Sequence, residues 1–328
     1  MEINFFYRNR KVGFSIAAVF DTVVSEVSKT YIVKRIFLPS PNANVKSILR
    51  NGLFAKKKEE HGIINHITGD VHYLLWFLNK RKTIVTVHDI MYYHYLKGLK
   101  RMIWKYLYII PLKRAAYVTF ISHFAYKQVC EVIELHSDRI HIIPNPVDDS
   151  FIFSPKVFNT KRPIILHIGT LERKNLNRTI AALDGIECHL RIIGEINNDI
   201  LIQLKKYNVE YSNVINLSHQ EIVEEYRKAD IINFPSLFEG FGMPIIEGQA
   251  TGRVVVTSNL SPMKEVAGEG AVLVDPYSVD DIRNAYHKII QDASFREVLI
   301  KKGRENVSRF SVDIIAEQYM NIYKSIQQ

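Results

Sequence analysis

Residues 230–252 read DIINFPSLFEGFGMPIIEGQATG. The run before Pro235 has the continuous apolar character of a buried parallel strand, and Pro244 has the preset φ that suits the start of a helix. Gly252 closes the pattern with a residue typical of helix ends. The stretch therefore predicts a strand, a glycine-rich loop and a helix at the carboxyl edge of a parallel sheet, where open α/β folds bind their ligands.

Two carboxylates of this stretch, Glu239 and Glu247, lie in the predicted loop and in the predicted first helical turn. Taken alone, Glu239 would be interpreted as a solvated acid of the loop, and Glu247 as an acid that interacts with the helix dipole. The glycine-rich pattern favours a ligand instead, because Gly240 and Gly242 let a ligand approach the backbone and a helix N-terminus attracts phosphate. An ionised carboxylate accepts hydrogen bonds from hydroxyls, so we predict that Glu247 binds a ribose and Glu239 a hexose. The amides predicted to face a diphosphate are those of Phe241, Gly242 and Met243.

Strand-like runs alternate with helical segments along the whole chain. Strands are predicted at 2–6, 31–38, 63–67, 83–87, 117–121 and 139–143, and again at 164–168, 189–193, 213–217, 230–234, 253–257 and 271–274. Helices in the second half are predicted at 176–183, 199–206, 220–227, 244–251, 279–291, 295–306 and 312–326. Buried strands separated by helices form parallel sheets, so the fold class is α/β.

The breaker-rich segment 144–163 is predicted to link two domains. We expect an N-terminal Rossmann-like domain over residues 1–150 and a C-terminal one over 151–328, both doubly wound and facing a central cleft. Packing of the last helix back onto the N-terminal domain is an open alternative.

The net charge of +9 is unevenly distributed. Residues 1–155 hold 22 Lys and Arg against 12 Asp and Glu, whereas the remainder is close to neutral. A basic half is typical of a surface that faces an anionic partner, such as nucleic acid, acidic lipid or a phosphorylated acceptor.

The two cysteines, Cys130 and Cys188, show neither pairing nor metal-ligand spacing, which favours inert core thiols in a reducing compartment. The N-terminus lacks the order of a signal peptide, and no apolar run is long enough to span a bilayer. These features predict a cytoplasmic protein.

Five blocks occur in the order typical of one family: 143–148, 167–175, 190–194, the Glu239–Glu247 block and 265–276. On these blocks the chain resembles glycosyltransferase family 4, the retaining nucleotide-sugar transferases of the GT-B fold, and it is similar to bacterial O-antigen and capsular polysaccharide glycosyltransferases. The resemblance implies transfer of a hexose from a GDP- or UDP-linked donor to a glycan or lipid-linked glycan acceptor. It implies no cofactor and no metal site.

The resemblance places the donor at the block 167–175. It assigns Lys174 to the leaving phosphate and Arg173 to a second, weaker contact, although a surface Arg-Lys pair alone is more often there for solubility. Many family members carry an arginine where this chain has Thr170. Further donor-binding residues are Gly169, Thr170, Gly194 and Leu217, the last two through backbone contacts to the base.

In the first half, His88 follows a buried-type strand and looks like the family's histidine that contacts the transferred sugar; we count it with Glu239 and Lys174 as catalytic. A structural hydrogen bond is the alternative for any lone histidine. The resemblance implies that residues 1–150 form the acceptor-binding domain and residues 151–328 the nucleotide-sugar-binding domain. The acceptor side is predicted at Gly13, Phe14, His66 and His72.

Residues 92–114 interleave aromatic and basic side chains at roughly helical spacing. One interpretation is contact with an anionic membrane surface, which would make the protein peripheral on the inner face of the cell membrane. The other is a partly buried amphipathic helix with a wet basic face. No nucleic-acid-binding module is recognised, so nucleic acid is not expected as a partner.

Two other functions stay open. One is a nucleotide-sugar epimerase of the same architecture, and the other is a non-catalytic sugar-nucleotide-binding module. The complete set of His88, Lys174, Glu239 and Glu247 favours a transferase.

Overall fold

The computed structural model describes residues 1–327, except for the side chain of Phe14. The chain forms two compact units, one comprising Met1–Pro146 together with the chain from Val312, and the other comprising Val147–Ser311. The division falls at Pro146 rather than after residue 150. The reason is local, because the amide of Val147 donates a 2.9 Å hydrogen bond to the carbonyl oxygen of Phe310 and so ties this segment to the second unit.

The first unit contains a six-stranded sheet in the order β2-β1-β3-β4-β5-β6, with all neighbours parallel. Its strands are β1 (Glu2–Tyr7), β2 (Ile32–Phe37), β3 (Ile64–Ile67), β4 (Thr83–Val87), β5 (Tyr117–Phe120) and β6 (Ile140–Ile142). Its helices are α1 (Phe14–Val27), α2 (Val45–Lys58), α3 (Met91–Tyr95), α4 (Gly98–Trp104) and α5 (His123–Cys130), with the terminal helix Val312–Gln327. Every residue of β3 and β4 is buried, so neither strand shows the alternation of apolar and polar residues that is typical of a half-exposed sheet.

The second unit has the strand order β12-β11-β10-β7-β8-β9, also fully parallel. Its strands are β7 (Ile164–Ile168), β8 (His189–Ile193), β9 (Tyr211–Val214), β10 (Ile231–Phe234), β11 (Val254–Ser258) and β12 (Val272–Val274). Its helices are α6 (Leu176–Ala182), α7 (Asn198–Lys206), α8 (His219–Lys228), α9 (Met243–Ala250), α10 (Met263–Ala267), α11 (Val279–Gln291) and α12 (Ala293–Val307). The terminal helix of the chain, in the first unit, is therefore α13. The predicted fold class, two doubly wound α/β domains, is confirmed.

Helix α13 belongs to the core of the first unit. Its Tyr319, Tyr323 and Ile315 are buried in one cluster with Phe5 and Phe20 of β1 and α1. Tyr323 meets Phe5 edge to face at 6.2 Å. Burial of such aromatic side chains is a large apolar contribution to stability, so the end of the chain is anchored by packing.

Several predicted elements differ from the structure. The strand predicted at 213–217 lies at Tyr211–Val214, because Asn216 takes a left-handed φ of 54° that ends the extended backbone. Residues 92–114 do not form one helix: α3 and α4 are followed by a π-helical turn, Lys105–Ile109, and a 3₁₀ turn, Ile110–Arg114. Cys130 is exposed at the end of α5, whereas Cys188 is buried.

Candidate functional site

The second unit places its candidate site where the strand order reverses. β7 and β10 are neighbours, but the next strand after β7 lies toward one edge of the sheet and the next strand after β10 lies toward the other edge. The carboxyl ends of two such strands form the crevice in which open α/β sheets bind ligands. Arg173 and Lys174 follow β7, and Glu239 follows β10.

These three residues form a charge cluster. Arg173 Nη1 lies 2.7 Å from Glu239 Oε2, and Lys174 Nζ lies 2.7 Å from Glu239 Oε1. The Glu239 side chain is 11% exposed, and the Lys174 side chain is 15% exposed. Burial lowers the pKa of Lys174, and the carboxylate of Glu239 opposes this effect. Both predicted phosphate-binding cations thus form ion pairs with the predicted sugar-binding carboxylate.

Local packing fixes the ammonium of Lys174. Its Nζ lies 4.5 Å from the centroid of the Phe234 ring, a cation–π distance. Gly169 has a φ of +89°, and a Cβ there would lie 3.1 Å from the lysine Cγ. A side chain at position 169 would therefore both strain the turn and displace the lysine stem. The amide of Leu237 donates to the carbonyl oxygen of Arg173 at 2.7 Å, which joins the two loops.

Asn175, which no motif identified as a site residue, also joins the two loops. It is buried in the left-handed conformation, with φ 65°. Its amide donates to the carbonyl oxygens of Pro235 at 3.0 Å and Pro276 at 2.7 Å. Asparagine tolerates this backbone conformation better than most residues. Its side-chain amide fixes the segments that contain Pro235 and Pro276.

Glu247 lies in the second turn of α9, not the first, because the helix begins at Met243 with Pro244 as its second residue. The hydroxyl of Tyr226, on α8, donates a hydrogen bond to its carboxylate. Burial raises the pKa of Glu247 to about 7, while Tyr226 lowers it. Of the nearby charges, Asp148 raises this pKa and Lys174 lowers it, as His219 also does. Tyr226 belongs to no motif, and only its hydrogen bond to Glu247 identifies it as part of the site.

The remaining donor-side residues surround the same edge. Gly194 has a φ of +133°, and a Cβ there would lie 3.1 Å from Thr170 Cγ2, so the glycine makes room for the threonine. Gly242 caps α9 with φ 118°. Phe241 is buried against Phe310 with ring centroids 5.8 Å apart. The other predicted donor residues, Gly240, Met243 and Leu217, are partly exposed.

In the first unit, His88 directly follows β4 and is largely buried. Its Nε2 lies 2.8 Å from the carbonyl oxygen of Thr68, which can only accept, so Nε2 carries the proton. Burial lowers the pKa of His88. The neutral ring therefore presents Nδ1 as an acceptor.

The predicted acceptor residues His66 and His72 are not on a surface. His66 is fully buried, with Tyr323 at 2.7 Å and Thr86 at 2.8 Å from its two ring nitrogens. His72 is also buried, and its Nδ1 donates to the carbonyl oxygen of Tyr108. Burial lowers their pKa values to about 3 and about 4. The structure supports core roles for both, so we withdraw them from the acceptor side.

The other two predicted acceptor residues begin α1. Gly13 caps the helix in the left-handed conformation, and a Cβ there would lie 3.0 Å from Arg8 Cδ. The side chain of Phe14 lies outside the described part of the structure. Within residues 1–327, no group of three or more His, Cys, Asp or Glu is arranged to hold a metal ion.

Two family models cover most of the chain. The model "Glycosyl transferases group 1" matches residues 148–306, and "Glycosyltransferase Family 4" matches residues 20–151. The chain is a glycosyltransferase of family 4. The resemblance drawn from the five sequence blocks is confirmed.

Individual relatives agree with this assignment. The glycosyltransferase is 26% identical to O-antigen chain mannosyltransferase B of Escherichia coli, over 74% of this chain and 70% of that protein. It is 24% identical to O-antigen chain mannosyltransferase RfbU of Salmonella typhimurium, over 74% and 69%. Sucrose-phosphate synthase from Thermosynechococcus elongatus has the same fold, with a TM-score of 0.81 over 99% of both chains and 18% identity.

No helix in the described chain has both the length and the apolar character that a membrane span requires.

Proposed function

We propose that this glycosyltransferase moves a hexose from a GDP- or UDP-linked donor to a glycan or lipid-linked glycan, with retention at the anomeric carbon, in the synthesis of a surface polysaccharide. The charge cluster at the switch point of the second unit carries the proposal, because its two cations can neutralise a diphosphate at the edge where such sheets bind ligands. The O-antigen mannosyltransferases among the relatives favour mannose as the hexose.

The roles follow from the chemistry of the step. The bond between the anomeric carbon and the leaving phosphate oxygen breaks, the acceptor oxygen bonds to that carbon on the same face, and the acceptor proton passes to the departing phosphate. Negative charge grows on the diphosphate, and Lys174, Arg173 and the N-terminus of α9 stabilise it. Glu239 and His88 orient the hexose through its hydroxyls, and Glu247 holds the ribose. Arg173 and Lys174 neutralise the charge of the diphosphate, so neither a metal nor a cofactor is proposed.

Thermal unfolding with added nucleotides tests the donor site. We expect GDP or UDP to raise the unfolding midpoint of the wild type, because a ligand at a hundred times its Kd stabilises the folded state by about 2.7 kcal/mol. The pKa of about 7 for Glu247 makes the shift larger at pH 8 than at pH 6, where only about a tenth of the carboxylate is ionised. In Glu247→Gln the shift should shrink and lose this pH dependence.

The variant is matched, since glutamine keeps the size of Glu247 and still accepts from Tyr226. ADP, offered under the same conditions, tests the choice of base. If no nucleoside diphosphate moves the midpoint at either pH, or if Glu247→Gln responds like the wild type, the assigned donor site is wrong.

We also propose that the protein is cytoplasmic and binds the inner face of the cell membrane through residues 92–114. Helix α4 has no buried residue, and its Leu99 and Met102 are 70% and 69% exposed. Four cations accompany this apolar face: Lys97, Lys100, Arg101 and Lys105. Apolar side chains between cations suit a surface of anionic lipids.

Sedimentation with vesicles tests the membrane contact. We expect the wild type to sediment with vesicles that contain phosphatidylglycerol. The double variant Leu99→Glu, Met102→Glu should bind them about tenfold more weakly, since it removes two exposed apolar groups that would enter the lipid and adds charge repulsion. The control is Val157→Glu, at an apolar residue of the second unit that is 93% exposed. Equal binding by the double variant and the control would contradict the contact.

A further inference from the structure

The amino edge of the first sheet carries a row of cations. β4, β5 and β6 are neighbours, and basic residues stand shortly before each of them. The amide of Ala116 donates to the carbonyl oxygen of Thr83 at 2.8 Å, and Val118 pairs with Ile140, so the three strands begin side by side. Adjacent strands are about 4.8 Å apart, which brings cations that are distant in sequence into one row.

A cavity of about 580 Å³ opens among these residues, within the size range of small-molecule sites. Ser325 and Ile326, at the end of α13, complete its wall. Its charged lining consists of five cations and one carboxylate: Lys80, Arg81, Lys113, Arg114, Arg139 and Asp138. This excess of positive charge favours an anionic ligand.

The protein does not neutralise the cations of this cavity. Among the residues that the structure describes, none of the five forms an ion pair with a carboxylate, although Asp138 lines the same cavity. Exposed cations elsewhere in this unit do have such partners, as Lys34 has in Glu60 at 3.0 Å and Arg35 in Asp21 at 3.2 Å. Cations held close together repel one another, so a ligand with several negative charges would stabilise this edge.

A structural role explains one neighbouring cation but not the others. Lys82 Nζ donates to the carbonyl oxygen of Ile326 at 2.9 Å, where the C-terminal end of α13 favours a positive charge. The side chains of Lys80, Arg81 and Arg139 are exposed and form no hydrogen bond within residues 1–327. They are therefore free to bind a ligand.

Arg114 is held in place by its own unit. Its Nε donates to the carbonyl oxygen of Leu75 at 3.0 Å, and its guanidinium lies 5.2 Å from the centroid of the Trp76 ring. A guanidinium presents its donors as a planar fork that matches the oxygens of a phosphate. Because these contacts already fix the group, a ligand loses less conformational entropy on binding to it.

The cavity also differs from a membrane contact. A surface that binds lipid combines cations with exposed apolar side chains, as α4 does with Leu99 and Met102. None of the large apolar side chains that are exposed in the described chain lines this cavity. The lining therefore favours a soluble anion over a lipid surface.

We propose that this cavity binds a soluble ligand that carries two or more phosphate groups. Three guanidinium groups and two ammonium groups around one cavity match the many oxygens of linked phosphates. Open α/β sheets bind their substrates at the carboxyl edge, so we assign this amino-edge cavity to a ligand other than the donor and the acceptor. The inference does not depend on the proposed transferase function.

Calorimetric titration with sodium tripolyphosphate at low salt tests the site. The double variant Lys80→Gln, Arg139→Gln should bind about tenfold more weakly than its parent, because it loses two charge-assisted contacts. The matched control, Lys46→Gln, Arg50→Gln, removes the same two charges from exposed residues of α2 and should bind like the parent. All three proteins carry Lys174→Met, which weakens binding of the probe at the charge cluster of the second unit.

Chemical acetylation of the wild type gives a second measurement that needs no variant. Saturating tripolyphosphate should slow acetylation of Lys80 and Lys113 about tenfold and leave that of Lys46 unchanged, as read by mass spectrometry of the peptides. Equal Kd values for the two double variants would overturn the proposal, as would equal slowing at the three lysines. If vesicles of phosphatidylglycerol protect Lys80 and tripolyphosphate does not, the cations belong to a membrane contact and the proposal is wrong.

Discussion

Replacing Lys174 by methionine is expected to lower kcat about a hundredfold to a thousandfold, because the variant loses a cation where negative charge develops on the leaving diphosphate. Methionine keeps an apolar stem beside Gly169 and the ring of Phe234, so the turn after β7 retains its packing. The loss should fall on kcat more than on the KM of the donor, since the charge grows in the transition state.

Initial rates of transfer to a saccharide acceptor give both constants. Lys301→Met is the control, because Lys301 is exposed on α12 and the substitution changes the net charge equally. The unfolding midpoint of each variant shows whether it folds. A kcat for Lys174→Met within a factor of two of the control value would exclude Lys174 from the chemistry.

Most strands of this fold could be predicted because a local run of apolar residues marks each of them. β4, β7, β8 and helix α11 lie where the apolar patterns place them. The limits of β9 could not be found in this way, since a left-handed Asn216 ends it and no apolar signal marks that turn. Helix α10 has only five residues, too few for a helical period to emerge.

In the candidate site, too, local motifs could be predicted, whereas contacts between distant residues could not. The motifs identified Lys174 and Glu239, but not that they bond to each other, because 65 residues separate them. The partner of Glu247 is Tyr226, on another helix. His66 was predicted to contact a ligand because a polar residue in a strand gives the same sequence pattern in two cases. Its side chain can face a ligand, or it can form hydrogen bonds within the core. Its partner Tyr323 lies 257 residues away on α13.

Replacing Glu239 by glutamine is expected to separate binding from turnover. Glu239 neutralises Arg173 and Lys174, each at 2.7 Å, so a diphosphate that binds these cations must compete with this carboxylate. Glutamine has nearly the same size and no charge, and it leaves both cations to the ligand. We expect GDP or UDP to bind about tenfold more tightly, since close charge pairs of this kind couple by at least about 1.5 kcal/mol.

Turnover should change in the opposite direction. The variant lacks the ionised acceptor that orients the hexose hydroxyls, so kcat should fall about a hundredfold even though the nucleotide binds better. Calorimetric titration measures the first effect and initial rates measure the second. Glu297→Gln, at an exposed residue of α12, controls for the change in net charge.

The direction of the change in nucleotide affinity decides what the charge cluster does. Tighter binding means that Glu239 occupies the place of the diphosphate and must release the cations when the donor arrives. Weaker binding would mean that the carboxylate holds Arg173 and Lys174 in a binding geometry that they lose without it. In that case the cluster would be a preformed phosphate site, and Lys174→Met should then weaken nucleotide binding as much as it lowers kcat.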